Sequence, residues 1–510
     1  MFALPSAKSV ERNPSQGRLR DLAVALMPRL TETEFENLNY QANITARLKN
    51  STFFVSDTAI SQNRISRMEA DKWVAWQDAH IADKEMLLIE GYIGPDPEFR
   101  TGSRLYIDNS QPNIAGMQTQ LYFPPDGDWN PDFTVIYTPR LPAPGMPDDR
   151  LIIVDLENSV TRVFGSDYFG ESKMGGLRMW NRLVFDRGGL ALHAGLKTYP
   201  AESTRTGVEE SMLIIGLSGT GKTTTTFRQQ IGSLPVQDDF VALMPGGTVH
   251  TSEAGCFAKT FGLDPDDEPT IYGGTTRRDA WLENVSVSKE GTVDFFDTSY
   301  TANGRCTFPL ANIRHRDPMG VPAARYLLIL NRSDHVIPAV ARLNREQIAA
   351  YFMLGETKGT SAGGAAEADK SLRVPGTNPF FFDDDSLQGN RLLDLLESMS
   401  DLQAYVLNTG RVGGEAEGSK KVRISDSSAI VQGIVEDSIQ WRPDQDFGYD
   451  VAEVVPGIGD IEILQPRHLY EGQGRLEAYE SAVSRLKKER VGYLDGFGAL
   501  SPSVKAGLGG

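Results

Sequence analysis

A glycine-rich segment before residue 224 carries the clearest chemical signal in this chain. Gly216–Thr223 fits the phosphate-binding loop pattern G-x-x-x-x-G-K-[ST]. Its glycines let successive backbone N–H groups face phosphate oxygens, and the N-terminus of a following helix adds positive potential. In such loops the lysine, here Lys222, contacts the β- and γ-phosphates, and the hydroxyl of Thr223 reaches the Mg²⁺ of the nucleotide. The sequence therefore predicts a nucleoside triphosphate site formed by Gly216, Leu217, Ser218, Gly219, Thr220, Gly221, Lys222, Thr223 and Thr224.

The elements that must hold this loop are a buried strand before it and a helix after it. Met212–Ile215 is an apolar run of strand length, and Thr223–Gln229 can begin a helix. Strand-like runs recur on both sides of the loop, at Phe53–Val55, Met86–Glu90, Phe133–Tyr137, Leu151–Val154, Val241–Met244, Tyr326–Leu330 and Ala404–Leu407. The leucine spacing of Arg18–Leu38 predicts a helix.

This pattern predicts an α/β protein with two domains. We expect an N-terminal α/β domain over residues 1–205 and a C-terminal P-loop-containing nucleotide-binding domain over residues 206–510. Within the second domain, the Gly/Ala-rich stretch 355–368 has little to pack. It is either a surface loop or a lid that closes over the nucleotide.

Composition limits the possible partners and location. The 510 residues carry a net charge of −17, which disfavours nucleic-acid binding. The two cysteines, Cys256 and Cys306, fit a reducing compartment and have no metal-ligand spacing. The first thirty residues contain no apolar run that suits a signal peptide or a membrane span. We therefore expect a cytoplasmic protein whose partners are small molecules, with no nucleic acid and no membrane.

Several segments together resemble the ATP-dependent phosphoenolpyruvate carboxykinase family. The phosphate loop, Gly255–Thr260, Glu268–Val285, Asn303–Pro309 and Asn408–Gly410 follow the order of the family's segments. The resemblance is specific over about residues 205–310. It implies a P-loop-containing mononucleotide-binding domain of the carboxykinase type. It also implies a reaction of gluconeogenesis, in which oxaloacetate loses CO₂ and the enolate takes the γ-phosphoryl group of ATP.

The resemblance also implies roles for individual residues. Arg47, Tyr168 and Arg305 would bind the substrate, and the catalytic residues would be Arg305, Lys222, Lys173 and Asp239. Lys259, Glu268, Lys421 and Ile424 would join the nucleotide site. Thr223 and Asp238 would hold the nucleotide Mg²⁺, and His193 and Asp239 a catalytic metal, Mn²⁺ or a second Mg²⁺.

The chain departs from the family on the side that binds oxaloacetate. The family has two adjacent lysines in one segment, and the second lysine binds the catalytic metal. This chain has Lys173 followed by Met174 at these positions. The thioether of methionine is a weak ligand for Mn²⁺ or Mg²⁺. Residues 194–198 and 380–385 also differ from the family. Three hypotheses therefore stay open: a divergent carboxykinase, a kinase of the same fold acting on another small molecule or a protein, and a non-catalytic ATP-binding regulator.

Overall fold

Three large β-sheets dominate the fold. The computed structural model describes residues 2–58, 60, 62–217, 219–358, 371–414 and 417–508. Its strands are β1 Ser9–Arg12, β2 Leu30–Glu32, β3 Leu38–Tyr40, β4 Thr52–Val55, β5 Arg64–Ile65, β6 Glu85–Ile93, β7 Thr101–Asp108, β8 Phe133–Thr138, β9 Leu151–Asp155, β10 Val160–Phe164, β11 Leu190–Tyr199, β12 Glu210–Ile215, β13 Leu234–Gln237, β14 Phe240–Leu243, β15 Val249–Thr251, β16 Gly255–Lys259, β17 Trp281–Glu283, β18 Ser286–Val287, β19 Val293–Asp294, β20 Arg305–Pro309, β21 Ala324–Asn331, β22 Val340–Leu343, β23 Glu356–Lys358, β24 Ser371–Arg373, β25 Gln403–Asn408, β26 Arg411–Val412, β27 Lys420–Lys421, β28 Gln440–Pro443 and β29 Asp450–Val454.

Helices cover the faces of the sheets. They are α1 Gln16–Leu26, α2 Arg67–Ile81, α3 Pro112–Leu121, α4 Gly170–Asp186, α5 Lys222–Phe227, α6 Pro269–Thr275, α7 Arg345–Leu354, α8 Ser386–Leu396, α9 Ile424–Val435, α10 Pro466–Gly472, α11 Leu476–Asp495 and α12 Pro502–Ala506. The mixed α/β class predicted from the sequence is confirmed.

The first sheet has the strand order β1-β6-β7-β8-β10-β9-β4-β5. Strands β7, β8 and β10 are parallel neighbours, so their carboxyl ends meet at one edge. The second sheet has the order β15-β14-β11-β12-β21-β25-β22-β29-β28, with β13 paired to β11. Helix α4 packs against β8 and β10 of the first sheet and β11 of the second, so the residues it carries lie between the two sheets.

Strands from both predicted domain ranges meet in two of the sheets. Strand β11, from the range assigned to the N-terminal domain, pairs with β12 and β14 in the second sheet. The third sheet, β16-β20-β17-β3-β2, joins residues 30–40 to residues 255–309. These pairings hold the segment after β3 close to β17 and β20, and this segment carries Arg47.

Local signals explain where several elements end. The predicted helix over residues 18–38 was too long: α1 ends at Leu26, because Pro28 excludes a helical conformation just before it, and β2 follows.

Asn344 begins α7 with a capping box, and Gly355 ends it at a φ of 46°. Directly after Gly355, β23 pairs with β24. Most of the candidate lid 355–368, from residue 359 on, lies outside the described residues.

Candidate active site

The phosphate loop connects the fully buried strand β12 to helix α5. Gly219 and Gly221 have φ angles of 85° and 89°, a conformation that favours glycine, and this explains the glycines of the motif. The Thr220 hydroxyl donates to the carbonyl of Leu217 at 2.7 Å and closes the turn. Lys222 is the first residue of α5, so its side chain starts at the helix N-terminus. The predicted strand–loop–helix context is present, while Ser218 lies outside the described residues.

Asp239 is the point on which the predicted catalytic groups converge. It lies with Asp238 in the short link between β13 and β14. The Lys222 ammonium lies 2.6 Å from Asp239 Oδ1, and the Lys173 ammonium lies 2.7 Å from Oδ2. His193 Nε2 lies 2.8 Å from Oδ1. Burial alone would raise the pKa of Asp239, but the Lys173 and Lys222 ammonium groups hold it well below its usual range.

A second carboxylate, Glu253, supports this cluster and was missed in the sequence. Glu253 Oε1 lies 3.1 Å from the Lys173 ammonium. Burial raises the pKa of Glu253 to about 7, with Lys173 opposing the shift. Its spacing from the other site residues gave no signal, because only the fold brings Glu253 to α4. Lys173 is thus held between two carboxylates, and the following residue, Met174, lines the cavity described below.

Arg47, Arg305 and Tyr168 line one cavity of about 340 Å³, and Lys222, His193 and Asp239 line it with them. The Arg305 guanidinium lies 5.2 Å from the centre of the Phe257 ring, and that of Arg47 lies 5.2 Å from the centre of the Phe380 ring. Arg305 Nε is buried and has no hydrogen-bond partner among the described residues. Two guanidinium groups facing one cavity can bind carboxylate or phosphate groups.

Part of this cavity is apolar. Met174 and Phe380 both line it, and the Phe380 ring lies 6.3 Å from the His193 ring, centre to centre. The sequence singled out residues 380–385 only as a departure from the family, not as part of the site. The acceptor side of the cavity therefore combines arginines with a thioether and aromatic rings.

The phosphate loop also borders a second cavity of about 610 Å³. Gly219, Gly221 and Thr224 line both cavities. Lys421 and Ile424 line the larger one, which agrees with their predicted place in the nucleotide site. Lys259 and Glu268 line the smaller one, and Glu268 accepts a hydrogen bond from the Thr224 hydroxyl. The loop thus borders both cavities. We call the larger one the nucleoside cavity and the smaller one the acceptor cavity, after the roles that the resemblance implies for the residues that line them.

Sequence reasoning missed two contacts that fix this loop. Arg332 donates to the carbonyl of Gly219 at 3.0 Å, and the Thr409 hydroxyl donates to that of Thr220 at 2.8 Å. Thr409 lies within the Asn408–Gly410 segment of the resemblance, but neither contact could be predicted from local sequence. Both tie the loop to β21 and β25 of the second sheet.

The geometry of His193 suits a metal ligand. Its Nδ1 lies 3.0 Å from the carbonyl of Thr377, which requires a hydrogen on Nδ1. Burial lowers the pKa of His193, so the neutral ring presents its Nε2 lone pair to Asp239 Oδ1. A lone pair facing a carboxylate oxygen is favourable when a cation bridges them, and metal-binding histidines commonly donate their other N–H to a backbone carbonyl.

Asp238 fits a role beside the nucleotide. Its Oδ1 is buried and has no hydrogen-bond partner among the described residues. Burial raises the pKa of Asp238, partly offset by Lys222, and the Thr223 side chain also lies against it. Among the described residues, no three side chains of the His, Cys, Asp and Glu types cluster as a metal site on their own. A metal here would therefore need oxygen ligands from phosphate, substrate or water as well.

Comparison with known proteins identifies the family. A family model for phosphoenolpyruvate carboxykinase matches residues 8–460. The chain belongs to the ATP-dependent phosphoenolpyruvate carboxykinase family. It is 30% identical over 447 residues to the phosphoenolpyruvate carboxykinase (ATP) of Aeropyrum pernix, covering 85% of each chain. It is 30% identical to that of Mesorhizobium japonicum (80% of this chain, 76% of the other) and 28% identical to that of Ruegeria pomeroyi (80% and 77%).

The family membership confirms the resemblance stated from the sequence. The roles of individual residues stay predictions. Among the predicted site residues that the structure describes, Thr220, Lys421 and Ile424 line the larger cavity, Lys173 contacts Asp239, and all the others except Gly216 line the smaller cavity. Among the described residues, no helix is long and apolar enough to cross a membrane.

Proposed function

We propose that this protein decarboxylates oxaloacetate and transfers the γ-phosphoryl group of ATP to the resulting enolate, giving phosphoenolpyruvate, ADP and CO₂. The observation that carries the proposal is the position of Asp239, where Lys222, Lys173 and His193 meet between a nucleoside cavity and an arginine-lined acceptor cavity. Family membership supports it. With this function we propose the finer fold assignment, a C-terminal P-loop-containing nucleotide-binding domain of the carboxykinase type, and a cytoplasmic location.

The arginines of the acceptor cavity bind the substrate in this proposal. Arg47 and Arg305 hold the carboxylates of oxaloacetate against the wall formed by Tyr168. The bond to the departing carboxylate breaks, CO₂ leaves, and the electron pair moves onto the carbonyl oxygen. Arg305 and Lys173 are the cations of this chain that stabilise the enolate charge. The apolar wall at Phe380 and Met174 helps to exclude water that would protonate the enolate.

The phosphate loop supplies the second half of the reaction. The enolate oxygen attacks the γ-phosphorus as the bond to the bridging oxygen of ADP breaks. Lys222 follows the γ-phosphoryl group and neutralises its charge, and the backbone N–H groups of the loop hold the β-phosphate. We assign the nucleotide Mg²⁺ to Thr223 and Asp238, and Mn²⁺ or a second Mg²⁺ to His193 and Asp239. A metal bound there would supply further positive charge at the reacting oxygens.

A direct test compares ADP release with and without oxaloacetate in the wild type and in two arginine variants. Arg305→Ala should lower the oxaloacetate-dependent kcat/KM by about 10²–10³-fold, because it removes a preorganised cation from the cavity. The matched control is Arg278→Ala, whose side chain is 79% exposed on the surface, and it should leave the rate unchanged. ADP release that ignores oxaloacetate and is unaffected by Arg305→Ala would contradict the proposal.

The apolar part of the acceptor cavity favours a second candidate, a kinase that phosphorylates a different small molecule or a protein. Met174 and Phe380 are the residues that motivate it. In that case ATP would be consumed with another acceptor and not with oxaloacetate. Nucleotide binding without turnover on any acceptor would instead indicate a regulator.

A further inference from the structure

A third cavity lies at the edge of the first sheet, away from the nucleotide. Its volume is about 370 Å³, which is within the size range of small-molecule sites. It shares no lining residue with the acceptor cavity or with the nucleoside cavity. We refer to it as the arginine pocket, because Arg29, Arg140 and Arg150 line it.

The topology places this pocket where open α/β sheets bind ligands. Strands β7, β8 and β10 are parallel neighbours, and the residues that follow their carboxyl ends line the pocket: Ser110 and Gln111 after β7, Arg140 after β8, and Gly165 after β10. A crevice outside the carboxyl ends of adjacent parallel strands is the usual ligand position in such sheets.

The charges in the pocket are unbalanced. The guanidinium groups of Arg140 and Arg150 have no hydrogen-bond, ion-pair or ring partner among the described residues. Within the described residues, the Arg29 side chain donates only to neutral groups, the Asn43 amide oxygen and the Tyr300 hydroxyl. Three arginines therefore line one cavity without a carboxylate bonded to any of them among the described residues. Arg140 is exposed and Arg29 and Arg150 are half-buried, so the lining carries a net positive charge that an anion can neutralise.

Asp167 is the one carboxylate among the pocket's lining residues, and its oxygens are already occupied. Oδ2 accepts from the Tyr40 hydroxyl and from the backbone and side-chain nitrogens of Asn43, and Oδ1 accepts from the backbone of Ile44. Beside it, the buried Ser110 Oγ and Gln111 Oε1 have no hydrogen-bond partner among the described residues. The Ser110 hydroxyl can donate to an anion, whereas the Gln111 amide oxygen can only accept, so the pocket offers guanidinium groups and one unpaired buried donor together.

We propose that the arginine pocket binds a small polyanion, a molecule with at least two carboxylate or phosphate groups, at a site distinct from that of the reaction. Arg140 follows β8 and Arg150 precedes β9, and both strands flank β10, so the two guanidinium groups lie at the same edge of the sheet and suit two acidic groups of one ligand. Arg29 and the hydroxyl of Ser110 complete a rim that can accept the remaining oxygens. The site goes beyond the proposed carboxykinase reaction and does not depend on it.

The test titrates the full-length protein by calorimetry with two probes, citrate for the carboxylate class and inorganic pyrophosphate for the phosphate class. We expect saturable binding of at least one probe, and the probe that binds identifies the class. Arg140→Ala and Arg150→Ala should each weaken it about tenfold or more, because each loses a charge-assisted hydrogen bond. Since neither guanidinium has a partner within the described part of the chain, the variants should keep the fold, which a thermal melt checks.

Two controls separate the pocket from other anion sites. Arg64→Ala removes an exposed arginine at the far edge of the same sheet, outside the pocket, and should bind the probe as the wild type does. Lys222→Ala weakens the phosphate loop and should leave binding in the arginine pocket intact. The proposal would be overturned if neither probe binds, if the double variant Arg140→Ala/Arg150→Ala binds normally, or if binding is lost only with Lys222→Ala.

Discussion

Lys197 gives the sharpest prediction about stability. Its side chain is 1% exposed, and its ammonium donates to the carbonyls of Thr225 and Arg228 at 3.0 and 2.7 Å. These carbonyls lie at the carboxyl end of α5, the helix that starts with Lys222. Burial, together with the nearby charge of Arg228, lowers the pKa of Lys197 to about 7. Lys197 therefore couples the stability of the phosphate-binding helix to pH.

The sign follows from comparing the folded and unfolded chains. In the unfolded chain Lys197 keeps its proton up to its ordinary pKa of 10.5, whereas in the folded protein it has lost it above about pH 7. The unfolded state thus binds one more proton between these values, and stability rises with pH across that window. Between about pH 7 and about pH 9 the gain from this one group is about 2 kcal/mol. A neutral amine still has two N–H groups for the two carbonyls, so the contacts persist.

Lys197→Met keeps the length of the side chain and removes the titration. Between about pH 7 and about pH 9, the free energy of unfolding of this variant should rise by about 2 kcal/mol less than the free energy of unfolding of the wild type. The assay is urea unfolding across this range, with exposed Lys289→Met as the control that keeps the wild-type slope. Equal slopes in the wild type and in Lys197→Met would refute the reasoning, because the buried lysine would then titrate as in the unfolded chain.

Three further predictions concern the site and its support. Met174→Lys adds a cation to the acceptor cavity and should leave the carboxykinase kcat unchanged or raise it up to about tenfold, as steady-state kinetics would show. A collapse of a measurable rate would mean that Met174 does not occupy the position of the family's metal-binding lysine. Gly195→Ala should cost about 1–3 kcal/mol in chemical unfolding, because its Cβ would lie 1.9 Å from Thr226 Oγ1, whereas Gly273→Ala, which meets open space, should be nearly neutral. Lys222→Ala should abolish phosphoryl transfer on any acceptor, and retained turnover would remove the phosphate loop from the mechanism.

The sequence predicted the parts of the site that depend on local pattern. The phosphate loop is local, because its glycines, lysine and threonine act within one turn and one strand–helix junction. The strands predicted at 53–55, 86–90, 133–137 and 151–154 are present as β4, β6, β8 and β9, since short apolar runs with β-branched or aromatic residues mark them. The helix after Arg18 was predicted too long because the periodic leucines continue past Pro28. The helical backbone cannot continue through this proline, and α1 ends at Leu26.

The remaining parts depend on contacts between distant segments. Glu253 meets Lys173 only because β15 pairs with β14 beside the sheet that α4 covers, and Thr377 meets His193 across 184 residues. Such pairings leave no local signal, so His193 could be selected only through the family resemblance, whereas Asp238 and Asp239 were also indicated by the phosphate loop upstream of them. The strands that join the two predicted domain ranges, β11 in one sheet and β2 and β3 in another, likewise follow from sheet pairing rather than from composition.

Phosphorus NMR of the products formed from ATP and oxaloacetate tests the central claim most directly. The wild type is incubated with both substrates, with Mn²⁺ and Mg²⁺ supplied separately. The account predicts that phosphoenolpyruvate and ADP appear together in equal amounts, because the cations around Asp239 serve both the enolate and the γ-phosphoryl group. Intact ATP in the presence of oxaloacetate, with nucleotide binding still measurable, would contradict it and show that the acceptor cavity serves another molecule.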